Sequence, residues 1–187
     1  APIEELNKGL KVFENELKND EDACKKVQIM VIKCSGNKPI IMSDWTDAEE
    51  FSSPKMVASG NTPLGEACEL AAEQIEKRKK EYNTNGVKFL KPWLFIISDG
   101  EPNDIWRKKA ARIKEMEKDD KFLTFVIAVK DARIHILQEF SIQEVKKLNG
   151  IEFTKLFQWI SASVKIGSRK INDAYTIQLP PVDWTNA

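Results

Sequence analysis

The chain has 187 residues, enough for one domain with a sizeable core, and its 42% hydrophobic and 31% charged residues are ordinary for a globular protein. Its 29 basic and 29 acidic residues cancel, so no net charge draws it to nucleic acid or an anionic membrane, and no apolar run approaches the ~20 residues of a membrane span. Three cysteines without Cys-x-x-Cys spacing, and no signal peptide, favour a cytoplasmic protein with reduced thiols.

The first third of the chain predicts a helix, a hairpin and a loop. Apolar residues recur at helical spacing directly after Pro2, a residue suited to the first helical position. The β-branched run 27–34 predicts a strand, and residues 38–45 predict its antiparallel return strand at a sheet edge. Residues 46–61 lack apolar periodicity and predict a loop with a short strand at 55–58.

A second helix is predicted from residue 63 to residue 82. Thr62 is a good N-cap, and Pro63 fits the first helical turn. Small apolar residues share one face of this helix and favour close packing on a sheet. The cap alone is a sufficient role for Thr62, and a ligand role is the alternative.

Residues 90–98 form an almost uninterrupted apolar run that ends at Asp99 and Gly100. A run without alternation is typical of a parallel strand buried on both faces. Open α/β sheets bind ligands at the carboxyl ends of their strands, so Asp99 is a candidate site residue. A plain turn at 98–100 explains these residues equally well.

The elements predicted after this run are a helix capped by Asn103 or Asp104, a buried strand at 122–129, a short helix at 134–140, a strand at 143–148 and a closing helix at 153–164. The alternation predicts an α/β fold with a doubly wound, mostly parallel sheet, helices on both faces and one antiparallel edge strand. We expect a single domain over 1–187, with 170–187 as a C-terminal strap.

The common catalytic signatures are absent from the sequence. It contains no phosphate loop, no Gly-x-Gly-x-x-Gly, no His-Glu-x-x-His and no Gly-x-Ser-x-Gly motif. The lone His135 lies far from any nucleophile motif, which favours a structural or surface role. What remains is the Thr62 hydroxyl and the Asp99 carboxylate, hard oxygen ligands that suit Mg²⁺ or Mn²⁺ if more oxygens converge on them.

Two loops and both chain ends resemble a known family. Residues 60–67 (Gly-Asn-Thr-Pro-Leu-Gly-Glu-Ala) are similar to the glycine-threonine loop of von Willebrand factor A (vWA) domains, and residues 94–100 (Leu-Phe-Ile-Ile-Ser-Asp-Gly) to their strand ending in Thr-Asp-Gly. Residues 2–7, 157–163 and 179–181 resemble the bacterial TerY-like branch, which is associated with tellurium resistance.

The resemblance implies a metal-ion-dependent adhesion site (MIDAS) at the carboxyl edge of the sheet. In the family, an Asp-x-Ser-x-Ser loop, a threonine and an aspartate hold Mg²⁺ (or Mn²⁺ or Ca²⁺), and Thr62 and Asp99 match the last two. Asn61 stands where glycine is common, and Ser98 where threonine is common. No Asp-x-Ser-x-Ser occurs in the sequence, so the ion is expected only if that loop is supplied. We expect a central strand carrying it upstream of Ala1, or a strand donated by another chain.

The function implied by the resemblance is a protein-interaction module, not an enzyme. An acidic partner side chain would complete the ion's coordination, in a bacterial tellurite, stress-resistance or phage-defence system with kinase, phosphatase or other Ter components. The loop residues Asn61, Glu101 and Asn103 would contact the partner. One alternative is a Mg²⁺-dependent phosphoryl-transfer enzyme centred on Asp99, although acids such as Asp131 lack the expected spacing. Another is a structural adaptor whose metal site is lost.

Overall fold

Helices and strands alternate along the chain, which the computed structural model describes for residues 2–99, 101–169 and 179–185. The helices are α1 (Pro2–Lys18), α2 (Ala23–Lys26), α3 (Leu64–Thr84), α4 (Trp106–Lys118), α5 (Ile134–Leu137) and α6 (Phe153–Arg169). The strands are β1 (Gln28–Lys33), β2 (Ile40–Asp47), β3 (Trp93–Ser98), β4 (Leu123–Ala128) and β5 (Lys146–Lys147). A 3₁₀ turn, Gln138–Phe140, follows α5.

Two compact units share these elements. Unit 1 contains residues 1–31, 41–58 and 148–187, and unit 2 contains residues 32–40 and 59–147. β1 and β2 form an antiparallel two-stranded sheet, whereas β3, β4 and β5 form a parallel sheet in that order. The predicted α/β class is confirmed, and the antiparallel strand belongs to a sheet of its own within the described ranges.

In unit 1 the first and last helices of the chain pack closely. Phe13 of α1 contacts Phe157 of α6 with ring centroids 5.9 Å apart, and it meets Phe51 edge-on at 6.3 Å. A Cβ on Gly9 would lie 2.5 Å from the Phe157 ring and 3.0 Å from the Phe153 carbonyl oxygen. Only glycine therefore fits where α1 crosses α6. This explains why Gly9 interrupts the apolar face of α1.

The segment after β2 is held to α1 by side chains. The Asn7 amide donates to the Met56 carbonyl at 2.9 Å and accepts from the Met56 N–H at 2.7 Å. The buried Glu14 carboxylate accepts from both the N–H and the hydroxyl of Ser53. Residues 55–58 form no strand in the structure, so the strand predicted there is wrong, and side-chain bonds to α1 hold the segment instead.

In unit 2, β3 and β4 pair over six residues, from Trp93 with Leu123 to Ser98 with Ala128. β3 begins at Trp93, later than predicted, because Lys91 and Pro92 precede the first paired residue. It is also less covered than predicted, since only Ile96 and Ser98 of its six residues are buried. The cause is its place at the edge of the sheet in the described part of the chain.

A buried carboxylate joins three elements of unit 2. Glu117 of α4 accepts hydrogen bonds from the Thr124 N–H of β4 at 2.9 Å and from the Ser141 hydroxyl at 2.9 Å. It also accepts from the N–H of Ile142 at 2.8 Å and the side-chain amide of Gln143 at 3.0 Å. The last predicted strand, at 143–148, is shortened to two residues, because the backbone N–H groups of Gln143 and Val145 donate to side chains, Ser141 Oγ and Gln138 Oε1.

The end of the chain is anchored by Trp184, which is 1% exposed and meets Trp159 edge-on at 5.6 Å. The Trp159 ring N–H donates to the Pro180 carbonyl at 2.9 Å. Residues 170–178 of the predicted strap lie outside the described residues, so the strap over 170–187 stays a prediction. None of the helices in the described ranges is long and apolar enough to cross a membrane.

Candidate functional site

The carboxyl ends of β3 and β4 place Asp99 beside a lysine. Asp99 directly follows β3, and its Oδ2 accepts a hydrogen bond from Lys130 Nζ at 3.0 Å. Lys130 follows β4 closely and has a left-handed backbone with φ 55°. Both side chains are about half exposed, at 56% for Asp99 and 46% for Lys130. Asp99 therefore lies on the sheet edge predicted for it, with a basic neighbour that the sequence did not reveal.

A second acid of the same loop is also paired. Glu101 forms an ion pair with Arg133, and both side chains are exposed. The segment after β4 thus supplies a cation to each of two acids that follow β3. Exposed pairs of this kind contribute little to stability, about 0–1 kcal/mol each, so they set the charge pattern of this surface more than the fold.

The loop before α3 is bonded to the loop before α4 through the backbone. The Thr62 carbonyl accepts from the N–H of Asn103 at 3.1 Å and from that of Leu64 at 2.8 Å. The neighbouring Asn61 carbonyl accepts from the N–H of Gly36, which has φ 80°, at 3.0 Å. Asn61, Thr62 and Asn103, three of the predicted site residues, therefore belong to one connected loop cluster.

The start of α3 is capped by Asp104, not by Thr62. The Asp104 carboxylate accepts from the N–H of Glu66 at 2.8 Å and of Gly65 at 3.3 Å. The N-cap residue of α3 is Pro63, which makes no side-chain capping bond, so the predicted Thr62 cap is wrong. The predicted cap of α4 by Asn103 or Asp104 is also wrong, because Ile105 is its N-cap residue and Asp104 is committed to α3.

Gly65 makes this cap sterically possible. A Cβ at Gly65 would lie 2.8 Å from Asp104 Oδ2 and 2.8 Å from the Trp106 Cα. No local sequence signal indicates this cap, since Asp104 and Glu66 are 38 residues apart. A carboxylate at a helix N-terminus is favourable because it faces the positive end of the helix dipole and the unpaired N–H groups.

Two cysteines near this cluster are poor nucleophiles. Burial raises the pKa of the Cys34 thiol to about 12, and the negative charge of Asp104 adds to the effect. Burial raises the pKa of Cys68 well above its usual range too, with Cys34 and Asp104 contributing. Both thiols are free and stay protonated at neutral pH.

Thr62 and Asp99 alone do not make a Mg²⁺ site. Within residues 2–99, 101–169 and 179–185, no group of three His, Cys, Asp or Glu residues could hold a metal ion. The Asp99 carboxylate is bonded to Lys130, and Asp104 is bonded to α3. Mg²⁺ prefers six oxygen ligands, so Thr62 and Asp99 need further ligands to retain it. Their metal roles stay predictions that depend on a loop outside this chain.

The chain is similar to known proteins in its fold. No protein-family profile matches the chain, and no curated protein matches it. Among solved structures, proximal thread matrix protein 1 (PTMP1) from the mussel byssus matches 86% of this chain with a TM-score of 0.50 and 14% identity. The fold is vWA-like. The ArnB paralog VWA2 from Sulfolobus acidocaldarius matches 84% of the chain with a TM-score of 0.46 and 13% identity.

The chain spans 41% of the length of each of these two proteins. At this level of identity the likeness concerns architecture alone. The resemblance to vWA domains is thereby supported at the level of the fold, and the TerY-like branch stays a prediction.

Proposed function

We propose that the chain is a protein-interaction module of the vWA type and that its partner binds at the rim. The rim comprises Asp99 with the loops 60–63, 101–105 and 130–133. The observation that carries the proposal is the way these loops are tied together at the carboxyl ends of β3 and β4, through Asn103 to Thr62 and Lys130 to Asp99.

The rim combines a rigid base with exposed groups. Asp104 and the Thr62 carbonyl fix the loops beneath, while Asn61, Glu101 and Lys130 present exposed polar side chains. Binding residues commonly occur on loops that a rigid scaffold positions, because loops tolerate the residue types that recognition requires. Ile105, 82% exposed, adds an apolar contact within the same loop.

A metal-dependent form of this module needs additional ligands. If an Asp-x-Ser-x-Ser loop is supplied, Thr62 and Asp99 would help to hold a Mg²⁺ ion, and an acidic partner side chain would complete the coordination. Lys130 would then release Asp99, at a small cost because the pair is exposed.

A metal-independent adaptor is the second candidate, and the pair between Asp99 and Lys130 favours it. In this form Lys130 takes the place of the ion as the positive charge next to Asp99. A cytoplasmic role in bacterial tellurite or stress resistance, with Ter components as partners, rests on the sequence resemblance. No observation favours the phosphoryl-transfer alternative.

The test uses one charge reversal at the rim and the same reversal at the other end of unit 2. Glu101→Lys changes a rim acid, and Glu115→Lys changes an exposed acid near the end of α4, away from the carboxyl ends of the strands. With a partner identified by photo-crosslinking from position 61, we expect Glu101→Lys to weaken binding about tenfold and Glu115→Lys to leave it unchanged. Equal losses would indicate nonspecific electrostatics and contradict the rim.

The same binding assay tests whether binding requires the ion. A chelator that abolishes binding supports the metal-dependent form. Binding that persists with chelator and falls on Lys130→Glu supports the adaptor.

A further inference from the structure

Ile105 stands at a position where the fold favours a different kind of residue. It is the N-cap residue of α4 and is 82% exposed, more than any other large hydrophobic residue in the described ranges. Serine, threonine, aspartate and asparagine are preferred at an N-cap, and isoleucine is among the poorest choices there. The chain thus places an apolar side chain in water where a polar one would stabilise the helix. Residues that break a local rule without a structural gain are concentrated at functional sites.

The residues on either side of Ile105 are fixed. The Asp104 carboxylate is bonded to the start of α3, and the Trp106 ring stacks on Phe140 of the 3₁₀ turn with ring centroids 5.9 Å apart. Phe140 is itself completely buried. A rigid backbone therefore presents Ile105, and a partner that binds it orders little of this chain, which favours affinity.

A second exposed isoleucine begins the neighbouring helix. Ile134 is the first residue of α5 and is 41% exposed, and the preceding Arg133 forms an ion pair with Glu101 in the loop before α4. The starts of α4 and α5 are therefore joined, and each presents an isoleucine. Because Arg133 and Ile134 follow β4, this surface lies on the β4 side of β3. The strand expected upstream of Ala1 belongs on the other side of β3, since β4 already occupies this one.

The charges beside Ile105 are positive. Arg107 and Lys108 are exposed in the first turn of α4, which contains no acidic residue. The Arg107 guanidinium lies over the Trp106 ring at 4.9 Å, and Lys108 has no ion-pair partner in the part of the chain that the structure describes. Cations at the beginning of a helix face the positive end of its dipole, which is unfavourable. A carboxylate from outside the chain would complement both cations.

We propose that Ile105 is the anchor of the rim and that the partner segment bound there carries a large apolar side chain with a carboxylate close to it in sequence. This partner chemistry rests on the proposed function, since it concerns the same rim. The apolar side chain packs on Ile105 and Ile134, and the carboxylate meets Arg107 and Lys108. A few anchor residues commonly supply most of the binding energy of an interface, whereas exposed ion pairs supply little.

Ile105→Ser tests the anchor in the assay with the partner captured from position 61. We expect the dissociation constant of the complex to rise at least about tenfold, whereas the melting temperature stays the same or rises because serine is the better N-cap. A purely structural role would not separate these two quantities. Ile142→Ser is the matched control. Ile142 is 51% exposed in the same unit, near the beginning of β4, and its replacement should leave the affinity unchanged.

Lys108→Glu tests the carboxylate of the partner. We expect it to weaken binding about fivefold and to act mainly by slowing association, as charges at an interface rim do. Lys118→Glu changes an exposed lysine in the last turn of the same helix and should leave binding unchanged. Equal effects of the two reversals would contradict a partner carboxylate at this position.

The same series of variants distinguishes the anchor from the rim. If Glu101→Lys weakens binding and Ile105→Ser does not, the anchor is overturned and the rim stands. If neither weakens it, the partner binds elsewhere and both are overturned. A melting temperature that falls in Ile105→Ser would assign Ile105 to the fold and also overturn the anchor. Sedimentation velocity of the purified chain tests a second copy as the occupant, and a dimer that Ile105→Ser dissociates would overturn the proposed partner.

Discussion

Carboxylates occupy two contrasting regions of this molecule. The buried acids, Glu14 in unit 1 and Glu117 in unit 2, each accept several hydrogen bonds from neighbouring segments. The rim acids Asp99 and Glu101 are exposed, and each is paired with one cation. The same chemical group therefore anchors the fold where hydrogen-bond donors surround it and exposes its charge where solvent surrounds it.

The largest expected effect is at Glu117. Glu117→Ala removes an acceptor from two backbone N–H groups and two side chains, which leaves buried donors unsatisfied. We expect a loss of about 3–5 kcal/mol in the free energy of unfolding. Urea denaturation measures it, and Glu115→Ala, an exposed acid on the same helix, is the control. Equal losses in the two variants would remove the distinction between buried and exposed acids.

The second effect concerns Glu14 and pH. Burial raises the pKa of Glu14, but hydrogen bonds from Lys11, Ser53 and Lys18 outweigh it and hold the pKa at about 2, below the usual 4.5. Because the folded state binds its proton less readily than the unfolded state, the stabilisation is complete above pH 4.5 and is lost as the pH falls towards 2.

Glu14→Gln should therefore be less stable than the wild type by about 2 kcal/mol at neutral pH. The difference should shrink as the pH is lowered through the same window. Unfolding free energies at several pH values provide the measurement. A constant difference down to the lowest pH would show that the charge of Glu14 contributes nothing.

The third effect separates the two cap candidates of α3. Asp104→Ala should cost about 1 kcal/mol of stability, since it removes the acceptor for two N–H groups at the start of the helix. Thr62→Val should cost less than about 0.5 kcal/mol, because the Thr62 backbone carbonyl makes the loop contacts. The reverse order of the two losses would restore Thr62 as the cap.

The smallest effect on stability is expected at Asp99. Asp99→Ala should change the free energy of unfolding by less than about 0.5 kcal/mol, because its ion pair is exposed. If the MIDAS loop is supplied by a longer polypeptide, the same variant should lose divalent-ion binding in calorimetry, with Glu115→Ala as the control. Unchanged ion affinity would remove Asp99 from the proposed ligand set.

The sequence predicted the elements whose signals are local. The apolar spacing of α1 and α6, the runs of β3 and β4 and the position of Asp99 at a strand end all depend on neighbours in the chain. The Asp104 cap and the cations beside Asp99 and Glu101 depend on contacts between distant loops. No periodicity encodes such contacts, so the role of Asp104 at α3 and those of Lys130 and Arg133 were not predicted.

The partial exposure of β3 has a similar origin. A continuous apolar run indicates that a strand can be covered on both faces, but it does not show which strand lies beside it. The sheet order, with β3 at the edge in the described residues, follows from pairings that alternation alone leaves open.

The close crossing of α1 and α6 has a consequence for the order in which the chain folds. Contacts such as Gly9 with Phe157, and Lys165 Nζ with Glu16 at 2.7 Å, join residues nearly a full chain length apart. Unit 2 is almost continuous in sequence, so its β–α–β contacts form from segments that are synthesised together. During synthesis α1 emerges early and must wait for α6, so we expect unit 1 to be completed last and to depend most on protection from aggregation.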